Sequence, residues 1–237
     1  MALSAFNVQA AEIRLAAAAN LRYVLTELTD AFEQQTEHQI QVSYAASGTL
    51  TTQIEHGAPF DMLLSANPDY VQRLINHGYG NEGVEIAGAQ MVLFAGSHSS
   101  ITLDEQLSGL KKALIDGTLN KVAIANPKHA PYGQAAKQML EQAELWQAIQ
   151  AHLLIAENSS QVVQFSLSTS VDIGFVPYSY IIQPQLIDKG RFIKLKASLP
   201  QHALVINNNN PTVGEFMVFL QSAQAKKMFE RYGFLVP

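Results

Sequence analysis

The sequence predicts an α/β fold with two lobes, each built on a mainly parallel sheet flanked by helices. The chain has 237 residues, and a single core tends to divide as length passes roughly 200 residues. Short β-rich apolar runs alternate with stretches in which apolar residues recur every three or four positions, which is the pattern of repeated βα units. Repeated βα units favour parallel strands with helices packed on the sheet.

The individual units follow one another along most of the chain. Each consists of a short apolar run and a helix-periodic stretch after it. The strand-like runs lie at residues 13–17, 40–45, 62–64 and 122–124. A last helix is predicted over residues 212–232, after the turn-rich run NNNNP at 207–211.

Two further apolar runs, at residues 84–95 and 203–206, mark where the chain could cross between lobes. The segment between them carries its own set of βα units. We therefore predict a discontinuous first lobe, residues 12–91 plus 203–237, and a second lobe, residues 92–202. Two crossing strands would form a hinge between the lobes.

Residues 1–11 are predicted to be the remnant of a signal peptide. They are small and apolar and end in Val8-Gln9-Ala10, the small-x-small pattern that precedes signal-peptidase cleavage. An amino-terminal arm is the alternative. Because no run of 18 apolar residues occurs, no membrane span is expected, and with the signal-peptide remnant we predict an exported, soluble protein.

Charge and cysteine content narrow the function. The net charge is −5 and Lys and Arg are scattered, which argues against nucleic acid as a partner. The sequence has no Cys, so thiolate metal sites and a cysteine nucleophile are excluded. No Gly-x-Ser-x-Gly, P-loop or dinucleotide motif occurs, so no catalytic residue is predicted and the chain is not expected to be an enzyme.

Four strand-to-helix junctions share small or amide side chains, and these are the candidate binding residues. In open α/β sheets such junctions line the crevice where ligands bind, and each helix start offers unpaired N–H donors. A group of donors of this kind suits a fully ionised oxyanion, which brings only acceptors. The alternative is ordinary capping, in which Asn20, Ser47 and Ser159 serve their own helices. The junctions are residues 18–20, 46–49, 130–133 and 157–161.

Motifs along nearly the whole chain carry a family resemblance. The sequence has SYAASGTL at residues 43–50, QIEHGAPFD at 53–61 and LSA at 64–66. Shorter matches follow in the same order: ANP at 125–127, APYG at 130–133, ENSSQ at 157–161, IGFV at 173–176 and FERYGF at 229–234. Together they resemble the periplasmic molybdate- or tungstate-binding protein of ABC importers, which is a type II periplasmic binding protein. The resemblance implies the two-lobed periplasmic-binding-protein fold, with the ligand in the cleft between the lobes.

The resemblance also implies the ligand contacts. They fall on Ala19, Asn20, Ser47, Tyr132 and Ser159 of this sequence, as contacts to the oxyanion rather than ligands of its metal atom. Asn20 would use its amide and backbone N–H, Ser47 its hydroxyl and N–H, and Tyr132 its backbone N–H. Ala19 lacks a hydroxyl and is left with its backbone, whereas Ser159 adds a hydroxyl to its N–H.

One further contact is left open. Where relatives have a ligand-binding tyrosine this sequence has Pro177, which has no N–H, and Tyr178 follows it. Tyr178 is therefore a candidate contact, and a core tyrosine is the alternative.

By this resemblance the chain would capture molybdate or tungstate and deliver it to an ABC permease and its ATPase. It would act as a monomer, with no cofactor apart from the bound oxyanion. Two alternatives are kept: a binding protein for another oxyanion such as sulfate or phosphate, and a hydrolase dependent on Ser47.

Overall fold

Strands and helices alternate along most of the chain in the computed structural model, which describes residues 12–237. The predicted signal-peptide remnant at residues 1–11 lies outside this range. Within it, eight strands form one sheet in the order β2-β1-β3-β8-β4-β7-β5-β6. The strands are β1 (Glu12–Ala18), β2 (Gln39–Ala45), β3 (Met62–Ser65), β4 (Gly83–Gly96), β5 (Val122–Ala125), β6 (Leu153–Ala156), β7 (Ile173–Pro177) and β8 (Gly190–Val205).

Helices flank this sheet and connect its strands. Across residues 12–237, no helix is both long enough and apolar enough to cross a membrane. Short 3-10 helices lie at Ala19–Leu21 and Gln150–His152. The α-helices are α1 (Arg22–Thr36), α2 (Ser47–Glu55), α3 (Pro68–Asn76), α4 (Ser108–Ile115), α5 (Pro131–Gln142), α6 (Ser159–Ser166), α7 (Tyr178–Ile181), α8 (Pro211–Leu220) and α9 (Ala223–Arg231).

The α/β class predicted from the sequence is confirmed, and the parallel pairing lies in the outer parts of the sheet. β1 pairs in parallel with β2 and β3, and β5 pairs in parallel with β6 and β7. The central strands are antiparallel, since β8 runs opposite to β3 and β4, and β4 runs opposite to β7. Two parallel groups of strands therefore stand on either side of an antiparallel centre.

The central pair of strands is unusually long. β4 has 14 residues and β8 has 16, and their register shifts between Glu85 and Ala87 and again between Gln90 and Val92. The predicted lobe limits at residues 91 and 203 both fall within this pair. The division into residues 12–91 plus 203–237 and residues 92–202 stays a prediction. Most of β8 was not predicted, because it is half-exposed and interrupted by Lys194, Lys196 and Pro200.

The carboxyl-terminal helix differs from its prediction. A single helix over residues 212–232 is wrong, since two helices, α8 and α9, cover this segment. The Ser222 hydroxyl accepts a hydrogen bond from the Ala225 N–H at 3.1 Å, and so starts a new helix. The apolar spacing alone does not reveal the break because it continues through both helices.

Strands β3 and β5 are buried along their whole length, as is typical of the inner strands of parallel sheets, whereas the edge strands β2 and β6 are partly exposed. Along β3, Met62 and Leu64 belong to one apolar cluster and Leu63 belongs to another. Leu50 of α2 and Leu74 of α3 pack with Leu63. Helices α1 and α8 contribute to the cluster on the opposite face. With both faces covered, the carboxyl-terminal ends of the strands are held firmly in place.

Asp61 links the start of β3 by hydrogen bonds to β1 and to the segment after β8. Its carboxylate accepts hydrogen bonds from the Arg14 backbone N–H at 2.8 Å and the Asn207 side-chain amide at 2.9 Å. Burial by itself raises the pKa of Asp61, but these hydrogen bonds and the Arg14 charge outweigh it, so the pKa lies below its ordinary value. The aspartate of the GAPFD motif is thus a structural residue.

We expect Asp61→Asn to lower the free energy of unfolding by about 1–3 kcal/mol at neutral pH, because an amide replaces one of the two acceptors with a donor. A depressed folded-state pKa stabilises the fold above the unfolded-state pKa of about 4, and this contribution is lost as pH falls through the folded-state value. The difference between wild type and variant should therefore shrink in acid.

Urea unfolding at neutral and acidic pH measures this difference. Asp116→Asn is the control, since Asp116 makes an exposed pair with Lys112 and should change stability by less than about 0.5 kcal/mol. A pH-independent difference for Asp61→Asn would contradict the assignment.

Candidate ligand-binding site

The four predicted junctions meet around one cavity, which we call the junction cavity. It is lined by residues at the ends of β1, β2, β3, β5 and β6 and the helix starts that follow, and its empty volume is about 200 Å³. Within each parallel group the carboxyl ends of the strands lie together, and the antiparallel centre of the sheet sets the ends of β1, β2 and β3 opposite those of β5 and β6, which explains why these junctions meet. The lining residues are Ala18, Ala19, Asn20, Ala45, Ala46, Ser47, Ala66, Ala130, Pro131, Tyr132, Asn158 and Ser159.

All five contacts implied by the family resemblance line this cavity. They come from segments far apart in the sequence, namely Ala19, Asn20 and Ser47 on one side and Tyr132 and Ser159 on the other. Each is buried, with at most 6% of its surface exposed. Every residue of the lining is formally uncharged.

Tyr178 is not among the lining residues. Its ring packs against Phe192, with ring centres 5.8 Å apart, and the Lys194 ammonium lies 4.0 Å from its centre. Tyr180 instead reaches the first junction, where its hydroxyl donates to the Ala19 carbonyl at 2.7 Å and contacts the Ser160 hydroxyl. The sequence did not distinguish the two tyrosines, which are two positions apart.

The side chains that could have capped their own helices bond elsewhere. Asn20 donates to the side chain of Gln201, and the Ser47 hydroxyl accepts from the Ala66 N–H at 3.0 Å. Helix α6 is capped by Asn158 rather than Ser159. None of the three candidates therefore caps the helix that it begins.

Three of the helix starts at the four predicted junctions lack any side-chain cap. Their N-cap residues are Ala18, Ala46 and Ala130, which have no side-chain acceptor. Helix α3, whose N-cap Asn67 follows the lining residue Ala66, is capped by a side chain, and so is helix α9, by Ser222. The side-chain acceptor that a cap normally supplies is thus absent at these three starts, although at α2 the Gly48 N–H donates to the His129 carbonyl.

Carbonyl oxygens beside the cavity are, in contrast, paired with donors. The Ala19 carbonyl accepts from Tyr180, and the Asn20 carbonyl accepts from the Ser179 hydroxyl at 3.0 Å. Because the Ser47 oxygen already accepts from Ala66, its hydroxyl hydrogen remains to be donated. The lining therefore offers more donors than acceptors to a ligand.

The Tyr132 hydroxyl is a further donor of this kind. It is buried, lies beside the Asn20 side chain and completes no hydrogen bond. Burial raises the pKa of Tyr132 well above its ordinary value, Tyr180 adds to the rise, and the Asn20 amide acts in the opposite direction. The hydroxyl consequently stays protonated. A buried polar group without a partner is rare in native proteins, and a ligand oxygen would supply the missing acceptor.

Gln201 was not predicted as part of the site. Its side-chain oxygen accepts from the Asn20 amide at 2.9 Å, and its own amide donates to the Leu199 carbonyl at 2.7 Å. A weak signal was present in the sequence, since Gln201 lies two residues from the apolar Leu199 and Ala203 and so shares their buried face of β8. An amide at a buried position of a strand needs polar partners.

Comparison with known proteins agrees with the fold. A model of the bacterial extracellular solute-binding protein family matches residues 13–235. The chain belongs to this family.

Two relatives of this solute-binding protein are named for the same ligand. The molybdate-binding protein ModA of Azotobacter vinelandii is 29% identical over 98% of this chain and 93% of its own length. The molybdate-binding protein ModA of Rhodobacter capsulatus is 26% identical over 98% of this chain and 91% of its own length. The solved structure of the periplasmic molybdate-binding protein of Azotobacter vinelandii superimposes with a TM-score of 0.82 at 25% identity, over 95% of this chain and 99% of that one.

Hydrogen bonds also join the segments on the two sides of the cavity in this solute-binding protein. The Gly48 N–H donates to the His129 carbonyl at 2.9 Å. The Gln134 amide donates to the Tyr70 hydroxyl at 3.0 Å and accepts from Asn67 at 3.3 Å. These contacts hold α2 and α3 against the start of α5, which encloses the cavity.

Gly48 leaves no room for a side chain at this contact. A Cβ atom there would lie 2.8 Å from both the His129 carbonyl oxygen and the Tyr70 hydroxyl oxygen. Overpacking of this kind costs about 1–3 kcal/mol. We expect Gly48→Ala to weaken ligand affinity about tenfold or more, because the methyl group opposes closure around the ligand.

Calorimetric titration with molybdate, the anion in the names of both relatives, measures the effect. Gly214→Ala is the matched control, since its Cβ would meet no atom within 4 Å. It should leave affinity unchanged. An unaltered affinity in Gly48→Ala would show that this contact is not needed for binding.

Proposed function

We propose that this chain is the periplasmic binding component of an ABC importer for molybdate or tungstate. The observation that carries the proposal is a buried, formally uncharged cavity in which hydrogen-bond donors exceed acceptors. The molybdate-binding relatives and the extracellular description of the family support the same ligand and compartment. The chain would bind its ligand without catalysis.

The chemistry of the lining suits a dianion that carries no proton. Molybdate, tungstate and sulfate bring acceptors only, so uncapped N–H groups and the hydroxyls of Ser47 and Tyr132 can all donate to them. The partial positive charge at helix starts adds to this attraction. Hydrogen phosphate brings a proton that needs an acceptor, and leaving it unpaired costs about 1–3 kcal/mol.

Each residue has a defined role in the proposed complex. Ser47 donates through its hydroxyl and backbone N–H from one side of the cavity, and Asn20 donates through its backbone N–H while its side-chain amide lies beside the Tyr132 hydroxyl. Tyr132 and Ser159 donate from the other side, where both lie at helix starts. Ala19 contributes its backbone N–H. These are contacts to the oxygen atoms of the anion and not to its metal atom, and Tyr178 is left out of the set.

The size of the cavity favours a small inorganic ligand. Pockets for drug-sized organic ligands measure about 300–1,000 Å³, whereas the space that the centre of a water molecule can occupy in this cavity is about 10 Å³. Molybdate and tungstate have longer bonds to oxygen than sulfate, so the fit of the cavity is the proposed basis of selection among tetrahedral dianions.

Delivery of the ligand to the permease would follow from closure of the protein around it. Contacts such as that between Gly48 and His129 enclose the ligand, and the closed monomer would be the form that the membrane permease and its ATPase accept. Hinge closure of this kind is common among binding proteins.

Calorimetric titration of the anion-free protein with molybdate, tungstate, sulfate and phosphate tests the ligand. We expect tight binding of molybdate and tungstate, and much weaker binding of sulfate and phosphate, because the cavity supplies donors at a fixed spacing. Binding of sulfate or phosphate alone would reject the proposed ligand and favour a different oxyanion.

Ser47→Ala tests the binding residue that is most deeply buried. Loss of a hydrogen bond to a charged ligand costs about 1.5–3 kcal/mol, so we expect affinity to fall by about 10- to 150-fold. Ser166→Ala is the control, since Ser166 is equally buried but its hydroxyl donates to the Val162 carbonyl at 2.7 Å within α6. A loss below tenfold in Ser47→Ala would remove Ser47 from the proposed contacts.

A further inference from the structure

Gln201 is a fully buried amide that connects the central strand pair to the junction cavity. Gln201 has 0% of its surface exposed and Asn20 has 1%. It lies on β8 opposite Ala87, immediately beside the register shift that follows Glu85. The 2.9 Å hydrogen bond to Asn20 joins residues 181 positions apart in the sequence.

The hydrogen bonds of Gln201 determine which of its ends meets Asn20. Its amide nitrogen is committed to the Leu199 carbonyl, so its oxygen is the atom that faces Asn20. Asn20 must therefore present its NH₂ group on that side, because an oxygen there would face another oxygen. The orientation of the Asn20 amide follows from a residue that does not line the cavity.

This orientation also determines what Asn20 does next to Tyr132. The NH₂ group has a second hydrogen, and the Tyr132 hydroxyl lies beside it without a complete hydrogen bond. A donor from Asn20 toward the phenolic oxygen leaves the Tyr132 hydrogen free for a ligand. Gln201, Asn20 and Tyr132 thus form a short chain in which the donors of Asn20 and Tyr132 follow from the position of the Gln201 oxygen.

We propose that Gln201 is a positioning residue that makes the cavity select fully ionised tetrahedral anions over protonated ones. It does so by holding the NH₂ group of Asn20 in place. This inference rests on the proposed anion-binding function. It adds the residue that fixes the orientation of the Asn20 amide.

Removal of Gln201 has a specific consequence. Without the glutamine oxygen, Asn20 is free to turn its amide by half a rotation and exchange its oxygen and nitrogen. The exchanged oxygen faces the Tyr132 hydroxyl and accepts its hydrogen, so the phenolic oxygen is left to the ligand as an acceptor, which pairs with the proton of hydrogen phosphate and repels the oxygens of molybdate. Loss of Gln201 should therefore change selectivity as well as affinity, which a loss of packing alone would not do.

Gln201→Met tests the inference, since methionine has a similar length and no amide. Titrations at about pH 8 compare molybdate with phosphate, because both are then dianions and differ by one proton. We expect molybdate affinity to fall by about three- to tenfold, the range for one hydrogen bond, and the preference for molybdate over phosphate to fall with it. Phosphate is measured by competition against molybdate.

A double-mutant cycle separates positioning from packing. In an Asn20→Ala background, Gln201→Met should change molybdate affinity by less than about twofold, because the residue through which Gln201 acts is absent. Gln90→Met is the matched control, since Gln90 lies on the same strand pair but bonds to Lys194. It should alter neither affinity nor selectivity.

A second variant keeps the test decisive if Gln201→Met does not fold. Gln201→Glu retains an acceptor opposite Asn20, so it should weaken both dianions through its charge while it preserves the preference for molybdate. An equal loss of affinity with and without Asn20, or an unchanged preference in Gln201→Met, would overturn the inference.

The anion that the wild-type protein binds shows whether the proposed ligand fails, the role of Gln201 fails, or both fail. If the wild-type protein binds sulfate instead of molybdate, the proposed ligand is wrong, and the same cycle measured with sulfate still decides the role of Gln201. If it binds phosphate most tightly, or binds no tetrahedral anion, the inference on Gln201 is overturned as well.

Discussion

The antiparallel pairing of β4 and β8 is the interaction on which the site depends. These strands run between the two parallel groups of the sheet, pairing with β3 on one side and β7 on the other. The ends of β1 and β2 are thereby set opposite the ends of β5 and β6. Without this central pair, the donors of the junction cavity would belong to separate parts of the chain.

The balance of donors and acceptors around the cavity is a second constraint. A buried N–H group without an acceptor lowers the stability of the fold, and so does a buried carbonyl group without a donor. In this chain Ser179 and Tyr180 pair with carbonyl oxygens near the cavity, while alanines stand at three N-cap positions and leave N–H groups without side-chain acceptors. The arrangement is stable when a ligand supplies the acceptors, which couples ligand binding to the enclosure of the cavity.

The uncharged lining reconciles an acidic protein with the proposed anionic ligand. The net charge of the chain is −5, which repels anions at long range. At short range, hydrogen bonds from fixed dipoles act in a buried space where water does not screen them. A lysine or arginine in the cavity would add attraction for every anion alike. Neutral donors at a fixed spacing instead allow discrimination by size and by protonation state.

The sequence by itself determined the alternation of strands and helices and the four junctions, because both depend on residues that are close along the chain. It also carried enough family motifs to indicate five residues that line the cavity. Tertiary structure alone decided the long extent of β8, the break between α8 and α9, and the choice of Tyr180 over Tyr178 at the first junction. It likewise decided the bond between Asn20 and Gln201. These features arise from contacts between distant segments, and local periodicity carries no information about which distant partner a polar side chain will meet.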